Sequence, residues 1–311
     1  MHAKNLQGAA KLYFHNRSKA SAENLNRRMG GVGVIEQFDE VLRNDRIDAL
    51  ILATPPEFHC TQTVAALRAG KSVLVEKPLC ISAPELAEIE AVANSQMSQS
   101  FLMIAENYYY KPSLRKVKNL LAADLVGAVE RVDVKKLFKQ TSTGWRTNHG
   151  SLLEGGIHFV ALIGDIVDDH LTSLTADFPD QIDENEPERH CELQLTYANG
   201  VEASLKYAWN VPSLTKGLLQ HSRIEGTNGR VAFESNGLYT VVRGKHTAMY
   251  PPNLSDLMGF RAMTREFVHC LEDPSSRPYS NLARAKRDLE IVFRAYDSNA
   301  GIGTPKRRSH E

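Results

Sequence analysis

Several features are scarce in this 311-residue chain, and each scarcity narrows what it can be. Its four cysteines, Cys60, Cys80, Cys191 and Cys270, are scattered, with no C-x-x-C and no metal-type spacing. That argues against a disulfide framework or a metal centre and suits a reducing cytoplasm. Net charge is absent, with 37 Lys plus Arg against 37 Asp plus Glu, so no global field draws the chain to nucleic acid or to a membrane surface. Long apolar runs are missing, and the N-terminus, Met1-His2-Ala3-Lys4-Asn5, lacks the apolar core of a signal peptide. There is no internal repeat and no low-complexity tract, and the basic finish Lys306-Arg307-Arg308 reads as a solvated tail. What remains is ordinary globular composition, 42% hydrophobic and 24% charged, at a length that divides into two domains rather than one core.

From Ala10 to Glu106 short apolar runs alternate with amphipathic segments, the sequence form of consecutive β-α units. Strands are expected at Leu12-Tyr13-Phe14, Val32 to Ile35, Ile47 to Ala53, Ser72 to Val75 and Phe101 to Ala105. Ser18 can cap a helix running to Met29, Ala69-Gly70 is a C-terminal stop, and Ser82 with Glu85 forms a capping box before Leu86, Ile89 and Val92. The strand ends carry Asn16-Arg17, Thr54-Pro55, Glu76-Lys77 and Glu106-Asn107. Ligands of open α/β sheets lie beyond the carboxyl ends of the strands, so this edge is a nucleotide-site candidate. The run Val73 to Val75 ending in Glu76-Lys77-Pro78 is its most pointed element, a buried strand that stops at two charges and a proline.

After Lys111 the pattern changes. A helix to Leu121 is followed by a long alternating strand from Gly127, and a polar loop from Thr141 to Gly150 contains Trp145 and Arg146. Ser151 to Ile163 reads as a helix despite Gly155-Gly156, whose cost of roughly 1 kcal/mol each suggests close approach of a ligand or another backbone. Glu154 and His158 stand at i and i+4 on it and share a face. Alternating strands then flank the Asn199-Gly200 hairpin turn, and the chain ends in helices near Ser255 to Leu271 and Asn281 to Asn299. We therefore expect two domains, 1–107 and 108–311.

Together, Ala53-Thr54-Pro55-Pro56 with His59, Ala69-Gly70-Lys71, Val75-Glu76-Lys77-Pro78, Glu106-Asn107-Tyr108 and Glu154-Gly155-Gly156-Ile157-His158 resemble the glucose-fructose oxidoreductase and inositol dehydrogenase (Gfo/Idh/MocA) family. The resemblance runs over nearly the whole chain. It implies a Rossmann-type doubly wound parallel sheet, followed by an α+β domain with an open, mainly antiparallel sheet through which homo-oligomers form. It also implies hydride transfer between NADP or NAD and a sugar, cyclitol or similar polyol or carbonyl substrate. Lys77 would be the catalytic lysine and His158 a second acid/base or orienting group, while Glu154 stands where the family usually has Asp. An alcohol must lose a proton as its carbon loses hydride, which is the work such groups do. Pro78 would be a cis proline. Cofactor contacts would come from Asn16, Arg17 and Ser18 at one strand end, from Thr54, Pro55 and His59 at another, and from Glu76, Lys77 and Asn107. Tyr108, Trp145 and Arg146 would face the substrate; no metal is expected.

One departure stands out. A Rossmann fold opens with a strand and a glycine-rich turn that holds the pyrophosphate, with the ribose-reading residue about 20 residues later. Here that residue falls near Asn16 and Arg17, so the turn would lie upstream of Met1, and Met1 to Leu6 reads as the latter part of the first helix. Gly30-Gly31-Val32-Gly33 precedes a strand and cannot substitute. The expectation is a shortened chain whose relatives carry roughly 20 more N-terminal residues, with the neighbours of a central strand left without partners. Arg17 in place of an acidic residue points to NADP over NAD. The alternative is a catalytically impaired or regulatory relative that binds a small molecule without effective cofactor binding.

Overall fold

In a computed structural model, residues 1–96, 100–140, 148–181, 186–213, 215 and 217–298 are described. They form two compact units, Met1–Asn107 with Gly259–Leu282, and Tyr108–Met258 with the chain from Ala283 on.

The first unit follows the expected alternation: α1 (His2–Leu6), β1 (Tyr13–Phe14), α2 (Lys19–Met29), β2 (Gly33–Val34), α3 (Phe38–Arg43), β3 (Ala49–Leu52), α4 (His59–Arg68), β4 (Ser72–Val75), α5 (Ala83–Gln96) and β5 (Leu102–Ile104). Every strand pairing is parallel. Ser18 caps α2 by accepting the Ser21 N–H, and Gly30 ends it in the left-handed region that glycine adopts freely. At α5 the Ser82 hydroxyl receives the Glu85 N–H, and the Glu85 carboxylate reaches back to the Ile81 N–H at 3.0 Å. This is the expected capping box shifted outward by one residue. β4, with Val73, Leu74 and Val75 wholly buried, is the centre of a three-stranded sheet β3-β4-β5. β1 and β2 form a separate pair, and no hydrogen-bonded pairing joins β1 to β3 among the described residues. In the 3-2-1-4-5-6 order of a Rossmann sheet, the division between the two pieces falls at the central position.

The domain expectation needs one correction. Gly259–Leu282 clusters with the first unit rather than with the second. The helix α8 (Phe260–Glu272) buries Met263, Phe267 and Cys270; Phe267 meets Phe101 edge-on at 5.7 Å and Phe260 meets His2 at 6.4 Å. The segment behind it covers the outer edge of β5, where the Ile104 N–H donates to the Ser280 carbonyl at 2.9 Å and Met103 bridges Asn281. An exposed strand edge is thereby paired, a contact between residues about 180 positions apart that no local periodicity announces.

The second unit contains α6 (Pro112–Ala122), β6 (Val129–Leu137), a π-helical turn (Leu152–Gly156), α7 (Ile157–Val167), β7 (Leu171–Asp177), β8 (His190–Tyr197), β9 (Glu202–Ala208), β10 (His221–Gly226), β11 (Gly229–Glu234), β12 (Thr240–Arg243), β13 (Thr247–Tyr250) and α9 (Leu282–Ser298). The eight strands order as β13-β12-β11-β10-β6-β9-β8-β7, antiparallel except for β6 with β9. Alternation sets one face inward, with Val132, Val134, Leu193, Leu205, Ile224 and Val231 all buried, and leaves the opposite face polar. α7 lies on the inner face, where Phe159 meets Tyr207 of β9 at 5.4 Å. Buried charge ties the helices together: the Asp165 carboxylate receives Lys118 Nζ from α6 at 2.8 Å and Arg284 Nη1 from α9 at 2.6 Å. Among the described residues no helix is long and apolar enough to cross a membrane.

If Gly259–Leu282 belongs to the first unit, Phe267→Ala removes a ring that is 2% exposed and costs about 3 kcal/mol. Urea unfolding should show the lower midpoint, and hydrogen exchange should show amides of β5 losing protection; unchanged β5 protection would contradict the assignment.

Candidate active site

On the first unit, the candidate residues sit where strands stop. β4 ends in Glu76 and Lys77, both partly exposed, and the Lys77–Pro78 peptide is cis. The neighbouring β3 runs out into Thr54-Pro55, and Pro56–Phe58 forms a 3₁₀ turn that leads into α4. His59 joins the two turns. Its Nδ1 lies 2.7 Å from the Pro78 carbonyl oxygen and its Nε2 2.8 Å from that of Thr54. Carbonyl oxygens only accept, so a neutral ring donates to one of them and an imidazolium would serve both. Burial lowers the His59 pKa, opposed by the Pro78 and Thr54 carbonyls and then by Glu76. His59, only 1% exposed, stands behind the strand-end turns. Both ring nitrogens are already committed to backbone. The Thr54 hydroxyl donates to Gln62 at 2.7 Å, and the Glu76 carboxylate lies 2.7 Å from His2 Nε2.

Whether these residues suit a nicotinamide dinucleotide turns on the end of β1. Asn16 accepts the Ser18 N–H at 2.9 Å in an Asx turn, and Ser18 in turn caps α2, so both side chains are spent on shaping the loop. Lys19 is paired with Glu36. Arg17 is exposed and makes no ion pair or side-chain hydrogen bond among the described residues. Arg17, an exposed cation beyond the end of β1 with no carboxylate of its own, suits the ribose end of the group, and the turns at Thr54-Pro55 and Glu76-Lys77 suit its nicotinamide end. No glycine-rich turn between a strand and a helix occurs among the described residues to hold the pyrophosphate.

On the second unit, Tyr108 belongs to the 3₁₀ turn Asn107–Tyr110. Tyr108 is 7% exposed and stacks on the His158 ring, centroids 4.7 Å apart and planes 12° from parallel. The ammonium of the fully buried Lys111 lies 3.4 Å from the Tyr108 ring centre and donates to the Ser235 carbonyl at 3.1 Å. Tyr108 therefore orients His158 and has little surface to give a substrate. Tyr109 is also turned inward, donating to Asp288 at 2.5 Å. Asn107 is buried at 5%, whereas His158 is partly exposed. Trp145 and Arg146 lie outside the described residues.

Glu154 lies in the π turn, not in the regular helix its spacing from His158 suggests. The cause is the two glycines. A Cβ on Gly155 would come within 1.9 Å of the Tyr207 hydroxyl, so the close approach that this glycine permits is to a side chain of β9, while one on Gly156 would meet Leu152 Cδ1 at 3.0 Å. One residue that sequence reasoning missed anchors the turn. Glu188, wholly buried, accepts the Leu152 N–H at 2.8 Å and the Tyr296 hydroxyl at 2.9 Å, and its carbonyl accepts the Ser151 N–H at 2.8 Å. It thus serves the otherwise unbonded amides that open the segment bearing Glu154 and His158. A Cβ at Gly150 would stand 1.6 Å from its carboxylate, so that glycine is required by contact. Nothing in Pro187-Glu188-Arg189 signals this role in sequence. All four cysteines are buried thiols, and among the described residues no cluster of His, Cys, Asp or Glu could hold a metal.

Fold and site residues together define a class: a Rossmann-type parallel unit joined to an α+β unit with an open, mostly antiparallel sheet. Residues 3–103 match the family described as "Oxidoreductase family, NAD-binding Rossmann fold", and residues 114–232 match the GFO/IDH/MocA C-terminal domain. The chain belongs to the Gfo/Idh/MocA oxidoreductase family. It is 31% identical over 136 residues, 43% of its length and 42% of the relative's, to 4-carboxy-2-hydroxymuconate-6-semialdehyde dehydrogenase of Sphingobium sp.. With trans-1,2-dihydrobenzene-1,2-diol dehydrogenase of Mus musculus it shares 25% over 229 residues, 70% of this chain and 65% of that one. Across curated relatives of this kind, the chain spans from 31% to 65% of their lengths. An oxidoreductase from Agrobacterium radiobacter, solved with NAD+, L-tartaric acid and magnesium, superposes with a TM-score of 0.85 at 16% identity, covering 96% of this chain and 92% of that one. At that identity the likeness is one of fold.

Burial raises the Glu188 carboxyl from its ordinary 4.5 to about 7, against the lowering effect of the Leu152 and Tyr296 hydrogen bonds. A raised folded pKa means that its stabilising contribution is full below pH 4.5 and is lost as pH rises through about 7. The stability of the wild type relative to Glu188→Gln should therefore fall across that window and level off above it. Urea titrations at a series of pH values measure this, and a difference independent of pH would contradict it.

Proposed function

We propose that this chain is an NAD(P)-dependent oxidoreductase moving hydride between nicotinamide and a secondary alcohol or carbonyl of a sugar, cyclitol or related polyol. The observation that carries the reading is the Glu76-Lys77-Pro78 turn at the end of the buried strand β4, held from behind by His59. The cofactor, when bound, supplies the hydride acceptor or donor. Lys77 takes the hydroxyl proton in oxidation and returns it in reduction. His158, fixed in orientation by the Tyr108 stack, is a second proton-handling or orienting group, and Glu154 is a carboxylate partner for substrate or imidazole. Asn16 and Ser18 shape the ribose-side loop, and Arg17 selects NADP by receiving its 2′-phosphate. Trp145 and Arg146 contribute to substrate recognition. Self-association proceeds through the open sheet of the second unit.

A second reading is favoured by the division of the parallel sheet into β1-β2 and β3-β4-β5: a family member that binds a polyol-type ligand without an effective grip on the cofactor. Nicotinamide fluorescence on mixing NADPH or NADH with the purified chain separates the two. Enhancement that saturates supports the enzyme; none at millimolar cofactor supports the second reading.

With a panel of sugars and cyclitols as substrates, Lys77→Met should lower kcat by about 10²-fold or more while cofactor binding is retained. Arg17→Ala should weaken NADPH binding by roughly tenfold and leave NADH unchanged. Equal loss for both cofactors would contradict the NADP assignment.

A further inference from the structure

The carboxylate at the end of β4 is held by a residue from the first helix. α1 sets His2 and Leu6 at i and i+4, and both are buried, so this short helix turns one face inward and carries an imidazole on it. His2 Nε2 lies 2.7 Å from Glu76 Oε1, a contact across 74 positions of sequence. The His2 side chain is 11% exposed and that of Glu76 33%, so a buried ring grips a carboxylate that still reaches solvent. Phe260 of α8 meets the imidazole nearly at right angles, with ring centroids 6.4 Å apart and planes at 85°.

An ionised carboxylate only accepts, so Nε2 carries the hydrogen of this bond. In the neutral ring Nδ1 is then the bare nitrogen, and it is buried with no hydrogen-bond partner among the described residues. The polar contact that orients the imidazole is therefore the one to Glu76. A glutamate at a strand end otherwise samples many rotamers, and ordering it opposes binding. With His2 in place that ordering precedes the ligand, which is preorganisation. The two histidines divide the work at this turn: His59 fixes its backbone through the Pro78 carbonyl, and His2 fixes the Glu76 side chain.

We propose that His2 is a positioning residue for the cofactor, holding the Glu76 carboxylate in the rotamer that accepts the hydroxyls of the nicotinamide ribose. This rests on the reading of the Glu76-Lys77 turn as the nicotinamide end of the site. A vicinal diol offers two O–H donors and a carboxylate accepts through both oxygens, so the rotamer decides whether both bonds form. His2 acts through Glu76.

Titrating NADPH and NADH into the full chain, followed by nicotinamide fluorescence, tests this with His2→Leu, His2→Gln, Glu76→Ala and the double variant His2→Leu, Glu76→Ala. Leucine keeps buried bulk and removes the donor, whereas glutamine keeps an N–H near the reach of Nε2. His2→Leu should weaken the cofactor that the wild type binds by roughly tenfold, and His2→Gln by no more than about threefold. In the Glu76→Ala background His2→Leu should cost no further affinity. Urea unfolding of each variant confirms that binding is measured on folded chain; a merely structural tie lowers the His2→Leu midpoint and leaves affinity unchanged. Wild-type affinity in His2→Leu would overturn the proposal. So would equal losses in His2→Leu and His2→Gln, which would assign the effect to helix packing, or additive losses in the double variant. Binding of neither cofactor by the wild type would instead sink the reading of the turn, and the proposal with it.

Discussion

One buried imidazole governs the strand-end edge of the first unit. β3 and β4 stop side by side, and the turns that follow each have a carbonyl facing inward where no strand is left to satisfy it. His59 reaches the carbonyls of Thr54 and Pro78 together and thereby fixes how far apart the two turns stand. Since Lys77 immediately precedes Pro78, its backbone is set by the same contact. A side chain buried to 1% exposure can do this only by giving up direct work on a ligand. His59 is a positioning group for the residues in front of it.

The second unit meets the same requirement by another route. The segment bearing Glu154 and His158 begins with backbone amides that no earlier helical turn can serve. Glu188 and Tyr296 supply the acceptors, and Gly150 and Gly155 lack the side chains that would block Glu188 and Tyr207. The helix opens as a π turn, which sets Glu154 in a wider local geometry than His158, while Tyr108 and Lys111 hold the imidazole in place from the adjoining segment. In both units the candidate groups rest on segments held by buried polar partners, and removing such a partner leaves another polar group unsatisfied in low dielectric.

Much of the first unit was legible because parallel strands covered on both faces read as continuous apolar runs, and their boundaries carry caps and glycine stops. Ser18, Ser82 with Glu85, and Gly30 act within a few residues of themselves, and local chemistry is visible in local sequence. The Asn199-Gly200 hairpin and the alternation of β8 and β9 were readable for the same reason. Regular helical spacing at Glu154 and His158 was not a safe guide. The winding of that turn depends on Tyr207, some fifty residues later in the chain. The return of Gly259–Leu282 to the first unit depends on the uncovered edge of β5, and the roles of Glu188 and Lys111 depend on what burial leaves unsatisfied nearby.

By itself the sequence determined the order of elements, the two-part build, the family motifs and the residue types available for proton transfer and cofactor recognition, because periodicity, capping and short motifs are properties of neighbouring residues. Only the tertiary structure decided that His59 is buried between two strand-end turns, that Tyr108 stacks on His158, and that Glu188 anchors the π turn. Those outcomes rest on burial and on contacts between distant positions, and both come into being only when strands and helices pack.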